Sequence, residues 1–141
     1  MQYCRIDLSK TDYYLLNNYQ YLDKFDINQL NQIYQGYCEY KQFTSVMPIF
    51  DIQYHDKHTD VIGYYDNTEL VAFSLIRTYD KYNAEALQFA WNYKNPTLRL
   101  GIESLKNECA IYKSRGFEYL YLGLADEYKQ QLDGFELLGR L

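Results

Sequence analysis

Apolar residues recur along this chain with two different periods, and the switch between them marks out its elements. Leu30, Ile33, Tyr34, Tyr37 and Cys38 follow Ile27 at steps of three or four. That spacing gathers them on one face of a helix from Asp26 to Tyr40, with Asp26 as its N-cap. Gly36 inside this stretch lowers helix propensity and predicts a kink or a close packing contact. Val61–Tyr65 and Leu70–Arg77 are instead short apolar runs, rich in β-branched and aromatic residues, around the polar Asp66-Asn67-Thr68-Glu69. They predict two strands joined as a hairpin. Ala84–Trp91 predicts a third adjacent strand, reached through a turn at Tyr79–Asn83.

The helical period returns after Gly101, with Ile102, Leu105, Cys109, Ala110 and Tyr112 on one face. Lys113 and Arg115 fall in the last turn, where they suit the helix dipole, and Gly116 supplies a left-handed cap. Tyr119–Leu122 is a compact strand ending at Gly123. Ala125–Leu132 predicts a final helix, Gly134 breaks it, and Phe135–Leu138 is a last short strand. At the other end, Gln2–Leu8 alternates as a first or edge strand, and Tyr13–Tyr21 fits a short helix. Residues 42–59 lack a period and predict a long connection with a short strand near Ile49–Tyr54. A strand–helix–strand unit late in the chain favours a mixed α/β sheet over a bundle.

A length of 141 residues fits one domain, residues 1–141. Residues 1–60 would form its mainly helical N-terminal part, and residues 61–141 the meander, the loop and helix, and the C-terminal strands. The formal charge of -5 argues against general nucleic-acid binding and against an anionic membrane surface. Three well-spaced cysteines, Cys4, Cys38 and Cys109, fit a reducing cytoplasm better than a disulfide scaffold. No run approaches membrane-spanning length. Eighteen tyrosines are the oddity; they serve either as boundary core residues or as an aromatic recognition surface. His55 and His58 with Asp56 and Asp60 make a polar loop or half a metal site, and no further ligands follow at zinc-like spacing. Cys109 falls on the apolar helix face and reads as packing.

The segment Pro96–Gly123 brings a loop directly into a helix N-terminus, a physical site for an anion. The order of elements resembles the GNAT family of N-acetyltransferases. Leu100-Gly101, Glu108, Gly116 and Tyr119-Leu-Tyr-Leu-Gly123 are similar in local wording to the C-terminal domain of the arginyl/leucyl-tRNA–protein transferases, which share that fold. The resemblance spans Val61 to Leu138. It implies a GNAT-like acyl-CoA N-acyltransferase fold, α/β (α+β), with a central twisted mixed sheet flanked by helices.

It also implies acetyl-CoA or another acyl-CoA as donor. The donor would contact Leu98, Arg99, Leu100, Gly101, Ile102 and Glu103, with its pantetheine arm between strands 84–91 and 118–123. The acceptor would be a small-molecule or peptide amine, with a second copy of the chain as a further candidate partner. Glu85, near the start of strand 84–91, is a candidate general base. Tyr128 is a candidate general acid toward the departing thiolate. Tyr64, Phe73, Phe89 and Trp91 could line an acceptor pocket or belong to the core. The sequence departs from the family in two places. Setting Gly101 at the last glycine of Gln/Arg-x-x-Gly-x-Gly/Ala puts Arg99 at the first glycine and Pro96 at the Gln/Arg. Counting four residues back from Gly134 gives Gln130 where the family often has tyrosine. Two other readings therefore stand beside acyl transfer from acyl-CoA: a non-catalytic binding or assembly module, and an aminoacyl-tRNA-dependent transferase-like protein.

Overall fold

The computed structural model describes residues 2–23, 27–42 and 54–140. Asp26 as an N-cap and most of the strand expected near Ile49–Tyr54 lie outside the described residues. The elements are β1 (Gln2–Asp7), β2 (Tyr19–Tyr21), α1 (Ile27–Lys41), β3 (Thr59–Asp66), β4 (Glu69–Thr78), β5 (Asn83–Trp91), α2 (Leu100–Ser114), β6 (Tyr119–Leu124) and β7 (Phe135–Arg140). The strands form one seven-stranded sheet in the order β2-β3-β4-β5-β6-β1-β7. It is mixed: β5 and β6 are parallel, and every other pair is antiparallel.

Local chemistry accounts for the meander. Asn67 takes a positive φ of 56° between β3 and β4, a conformation that asparagine tolerates in tight turns. In the next turn the Asp80 carboxylate accepts from the backbone N–H groups of Tyr82 (2.7 Å) and Asn83 (2.8 Å), an Asx turn that aims β5 back along β4. At the end of α2 the Phe117 N–H donates to the Tyr112 carbonyl, and Gly116 sits at φ 91°. Only a residue free of Cβ adopts that angle readily, so the helix stops there and the chain enters β6.

Each helix fills one face of the sheet. Leu30 and Ile33 of α1 pack with Val61, Phe73, Leu75 and Ala90. On the other face Leu105, Cys109 and Tyr112 of α2 pack with Ile62, Ala72, Ile76, Ala84 and Leu120. Within that second layer, Glu108 is fully buried and accepts hydrogen bonds from the Tyr64 hydroxyl (2.6 Å) and the Ser74 hydroxyl (2.8 Å). Burial pushes its carboxyl up to about 7, against the two hydrogen bonds that favour the anion.

Three expectations change. Tyr13–Tyr21 is not a helix. Its first part runs over the outer side of α2, where the Leu16 N–H donates to the Asn107 side chain (2.8 Å) and Tyr13 meets Lys106. Its last three residues form β2 on the edge of β3. Such a covering segment buries alternate residues according to what lies beneath, and Tyr14 is 88% exposed. The expected helix at Ala125–Leu132 is a short 3-10 turn, Glu127–Gln131. There the Lys129 ammonium folds back to donate to the Leu122 (3.0 Å) and Leu124 (2.9 Å) carbonyls. β1 is interior to the sheet, between β6 and β7, rather than at an edge.

Candidate functional site

The parallel pair at the centre of the sheet is short. Asn83, Ala84 and Glu85 of β5 face Tyr119, Leu120 and Tyr121 of β6, and from Ala86 onward the two strands part. The parting coincides with an irregularity on β5. Leu75 of β4 faces Gln88 and Ile76 faces Ala86, so Leu87 is a bulge residue. Bulges bend a strand and raise its twist, which turns β5 away from β6 here. Beyond the bulge the register with β4 is regular, and the Asn92 N–H donates to Val71 of β4. Because backbone groups alternate sides along a strand, those of Phe89 and Trp91 face the gap.

A groove of about 770 Å³ occupies the mouth of this gap. Phe89 and Trp91 of β5, Gly101 and Ile102 of α2, and Asp126 and Tyr128 after β6 line it. The end of α1 contributes Tyr37, Tyr40 and Lys41, and the β5–α2 loop contributes Tyr93, Pro96 and Arg99. The aromatic side chains are ordered against one another. Trp91 and Tyr93 lie 4.3 Å apart between ring centres, and Tyr93 and Tyr40 stack at 3.9 Å.

The loop that feeds α2 is strained at both ends. Tyr93 (φ 59°) and Arg99 (φ 49°) are non-glycine residues in the left-handed region, and both line the groove. Such a conformation costs about 1–2 kcal/mol for an L-residue with a Cβ. Arg99 thus brings a left-handed backbone and a cation to the groove together. Between these residues Asn95 holds the loop, accepting from the Thr97 hydroxyl (2.6 Å) and donating to Asp66 (3.2 Å).

The residues singled out in the sequence fall in three places. Arg99, Gly101, Ile102 and Tyr128 come together on the groove. Leu98 packs against the core and Leu100 is buried in it. Glu103 points along the helix to Lys106 at 3.9 Å. Among the amides of this junction, the Arg99 N–H donates to Pro96, and the Ile102 and Glu103 N–H groups donate to the Arg99 carbonyl. Leu100 and Gly101 open the helix, so helix geometry gives their N–H groups no intrahelical acceptor. A Cβ built on Gly101 meets nothing within 4 Å. Glu85 is the last residue of β5 paired to β6, at the root of the gap, and it accepts from the Tyr79 hydroxyl at 2.5 Å.

Tyr128 keeps its proton well above neutrality. Burial, followed by the nearby Asp126, Tyr37 and Tyr93, pushes its hydroxyl up to about 12. Lys129 fixes the turn that carries it, through the β6 carbonyls and the Asp126 carboxylate at 3.0 Å. Phe89 and Trp91 line the groove, whereas Tyr64 and Phe73 are wholly core. Tyr37, Tyr40, Lys41, Tyr93 and Asp126 were not singled out by sequence. Their available signal was the pair of tyrosines three apart at the end of α1 and a further tyrosine just after Trp91. Among the described residues no three His, Cys, Asp or Glu side chains gather as a metal site. No described helix is long and apolar enough to cross a membrane.

No family model and no curated protein matches the sequence. Solved structures do match the fold. N-myristoyltransferase of Saccharomyces cerevisiae with bound myristoyl-CoA superposes with a TM-score of 0.63 at 12% identity, over 96% of this chain and 47% of that one. L-PGS from Bacillus licheniformis gives 0.64 at 15% identity, over 88% of this chain and 46% of that one. A GNAT-family protein from Novosphingobium aromaticivorans gives 0.62 at 14% identity, over 96% of this chain and 58% of that one. The chain therefore spans about half the length of these neighbours.

Proposed function

The seven-stranded mixed sheet, with α1 and α2 on its faces, has the GNAT-like acyl-CoA N-acyltransferase fold, and from that premise we propose that the chain is an N-acyltransferase. It takes an acyl group from acyl-CoA, with acetyl-CoA the simplest donor, and passes it to a small-molecule or peptide amine. One observation carries this reading. β5 and β6 part immediately after Glu85 and open a groove lined by Arg99 and Gly101 at the start of α2. Donor phosphates there would be held by the helix N-terminus at Gly101 and by the Arg99 charge. The pantetheine arm would run along the backbone groups of Phe89 and Trp91.

The chemistry needs no acyl-enzyme. The neutral amine attacks the thioester carbonyl carbon, a C–N bond forms, and the C–S bond then breaks. β5 N–H groups facing the gap support the charge that builds on the carbonyl oxygen. Glu85, at the root of the gap, is the proposed acceptor of the amine proton. Tyr128, protonated and on the groove wall, is the proposed donor to the leaving thiolate.

Acyl-CoA should raise the melting temperature of the wild-type protein by mass action. Gly101→Asp should abolish that rise, since the new carboxylate occupies the open space at the start of α2. Absence of any shift at millimolar acyl-CoA would overturn the proposal in favour of a non-catalytic module or another donor. Persistence of the shift in Gly101→Asp would move the phosphate site elsewhere.

A further inference from the structure

We infer that Tyr40, Lys41 and Arg99 form a subsite for a phosphorylated adenine nucleotide, the head group of the donor. This deepens the acyl-CoA reading and rests on it. The first observation is the aromatic stack. It runs from Trp91, 4% exposed, through Tyr93 to Tyr40, which is 62% exposed. Tyr40 and Tyr93 are nearly parallel, at 13°. The stack begins in the core and ends in water, with its last ring uncovered at the groove mouth. A purine adds to such an end as one more ring, because every base has a π face.

The second observation is the charge. Lys94 holds Glu69, Lys106 holds Glu103, and Lys129 holds Asp126. Lys41 and Arg99 line the groove, and among the described residues neither is paired with a carboxylate. The Lys41 ammonium lies 5.5 Å from the centre of the Tyr93 ring, beside the stack. Arg99 stands on the loop opposite, held in a left-handed backbone conformation. Two uncommitted cations flanking an open aromatic face, in a chain of net charge -5, match an adenine with its phosphates. They repel an ammonium group, so the acceptor amine is not the occupant of this end.

The test uses adenosine 3′,5′-bisphosphate and CoA as probes. Trp91 is the only tryptophan of the chain and sits at the inner end of the stack, so its fluorescence reports occupancy directly. Both probes should bind wild-type protein and compete with each other. Tyr40→Ala and Lys41→Ala should each weaken both by about tenfold, in the range of lost base stacking. Phosphopantetheine, which has no adenine, should bind Tyr40→Ala as it binds the wild type. Both side chains are exposed, so the variants should melt with the wild type. Unchanged CoA affinity in both variants overturns the subsite and leaves the acyl-CoA reading standing. Failure of CoA to bind wild-type protein overturns both. Displacement of the bisphosphate by a CCA-ended RNA, and not by CoA, overturns the assignment of the nucleotide to CoA.

Discussion

Glu108→Gln should make the protein more stable at pH 8, with a much smaller gain at pH 5. Glu108, on α2, is the one fully buried carboxylate among the described residues, with Tyr64 and Ser74 donating to it. Asn107, which donates to the same Tyr64 hydroxyl at 3.2 Å, adds no charge. Burial raises the folded value of Glu108 to about 7 from the ordinary 4.5. Below pH 4.5 the carboxyl is protonated whether the chain is folded or not, and the buried site carries no penalty. Between there and pH 7 the folded chain holds a proton that the unfolded chain has released, so stability falls as pH rises. Above pH 7 the loss is complete and amounts to about 3 kcal/mol. Glutamine keeps the accepting oxygen for Tyr64 and Ser74 and cannot ionise. Urea unfolding of both proteins at pH 5, 6, 7 and 8 reads the difference. With a slope of about 2 kcal/mol per molar, the variant's midpoint should exceed the wild type's by about 1–1.5 M at pH 8. A difference that does not vary with pH would refute the reasoning, because it would mean that Glu108 carries the same charge in both states.

Other outcomes follow from particular contacts. Gly134→Ala should cost at least about 2 kcal/mol in chemical unfolding, since Gly134 has φ 76° and its Cβ would lie 2.4 Å from the Asp7 carbonyl oxygen. Gly139→Ala, at φ 102° with nothing within 4 Å, should cost about half as much. Arg99→Gly should relieve backbone strain, leaving stability unchanged or raising it by up to about 1 kcal/mol, while weakening acyl-CoA binding in calorimetry. Lys129→Met removes the ammonium donor from the Leu122 and Leu124 carbonyls, of which Leu124 keeps the Asp126 N–H, and should cost about 1–3 kcal/mol in thermal unfolding. In an acyl-transfer assay, Tyr128→Phe should lower kcat about a hundredfold with little change in donor affinity.

The elements that sequence reading located are those whose signals are local. The β3–β4 hairpin, β5, α2 with its Gly116 cap, and β6 each combine an unbroken period with turn chemistry inside a few residues. β2 carries no such signal: it is three residues long and owes its strand character to backbone bonds with β3. The interior position of β1 was equally hidden, because Arg5 meets Glu136 across more than a hundred residues of chain. Gly101 and Tyr128 were picked out because the order of elements resembled a known fold, and both line the groove. The contribution of α1 was not legible. Tyr40 and Lys41 are exposed at the end of an amphipathic helix, and on periodicity alone they read as its solvated face. The tyrosines divide between both explanations: Tyr54, Tyr64 and Tyr112 fill the core, while Tyr40 ends a stack in the groove.

The seat of β1 between β6 and β7 sets an order of events during synthesis. β1 leaves the ribosome well before β6 and β7, its two neighbours in the described sheet. The β3–β4–β5 meander can close on its own neighbours early, with α1 against it. The other half of the sheet must wait, and its pairing joins residues as far apart as Gln2 and Arg140. Such long-range closure is slow, and until it occurs the apolar Cys4, Ile6 and Leu8 remain uncovered. Refolding should therefore show an early phase in the meander and a late one in which β1 docks with β6 and β7.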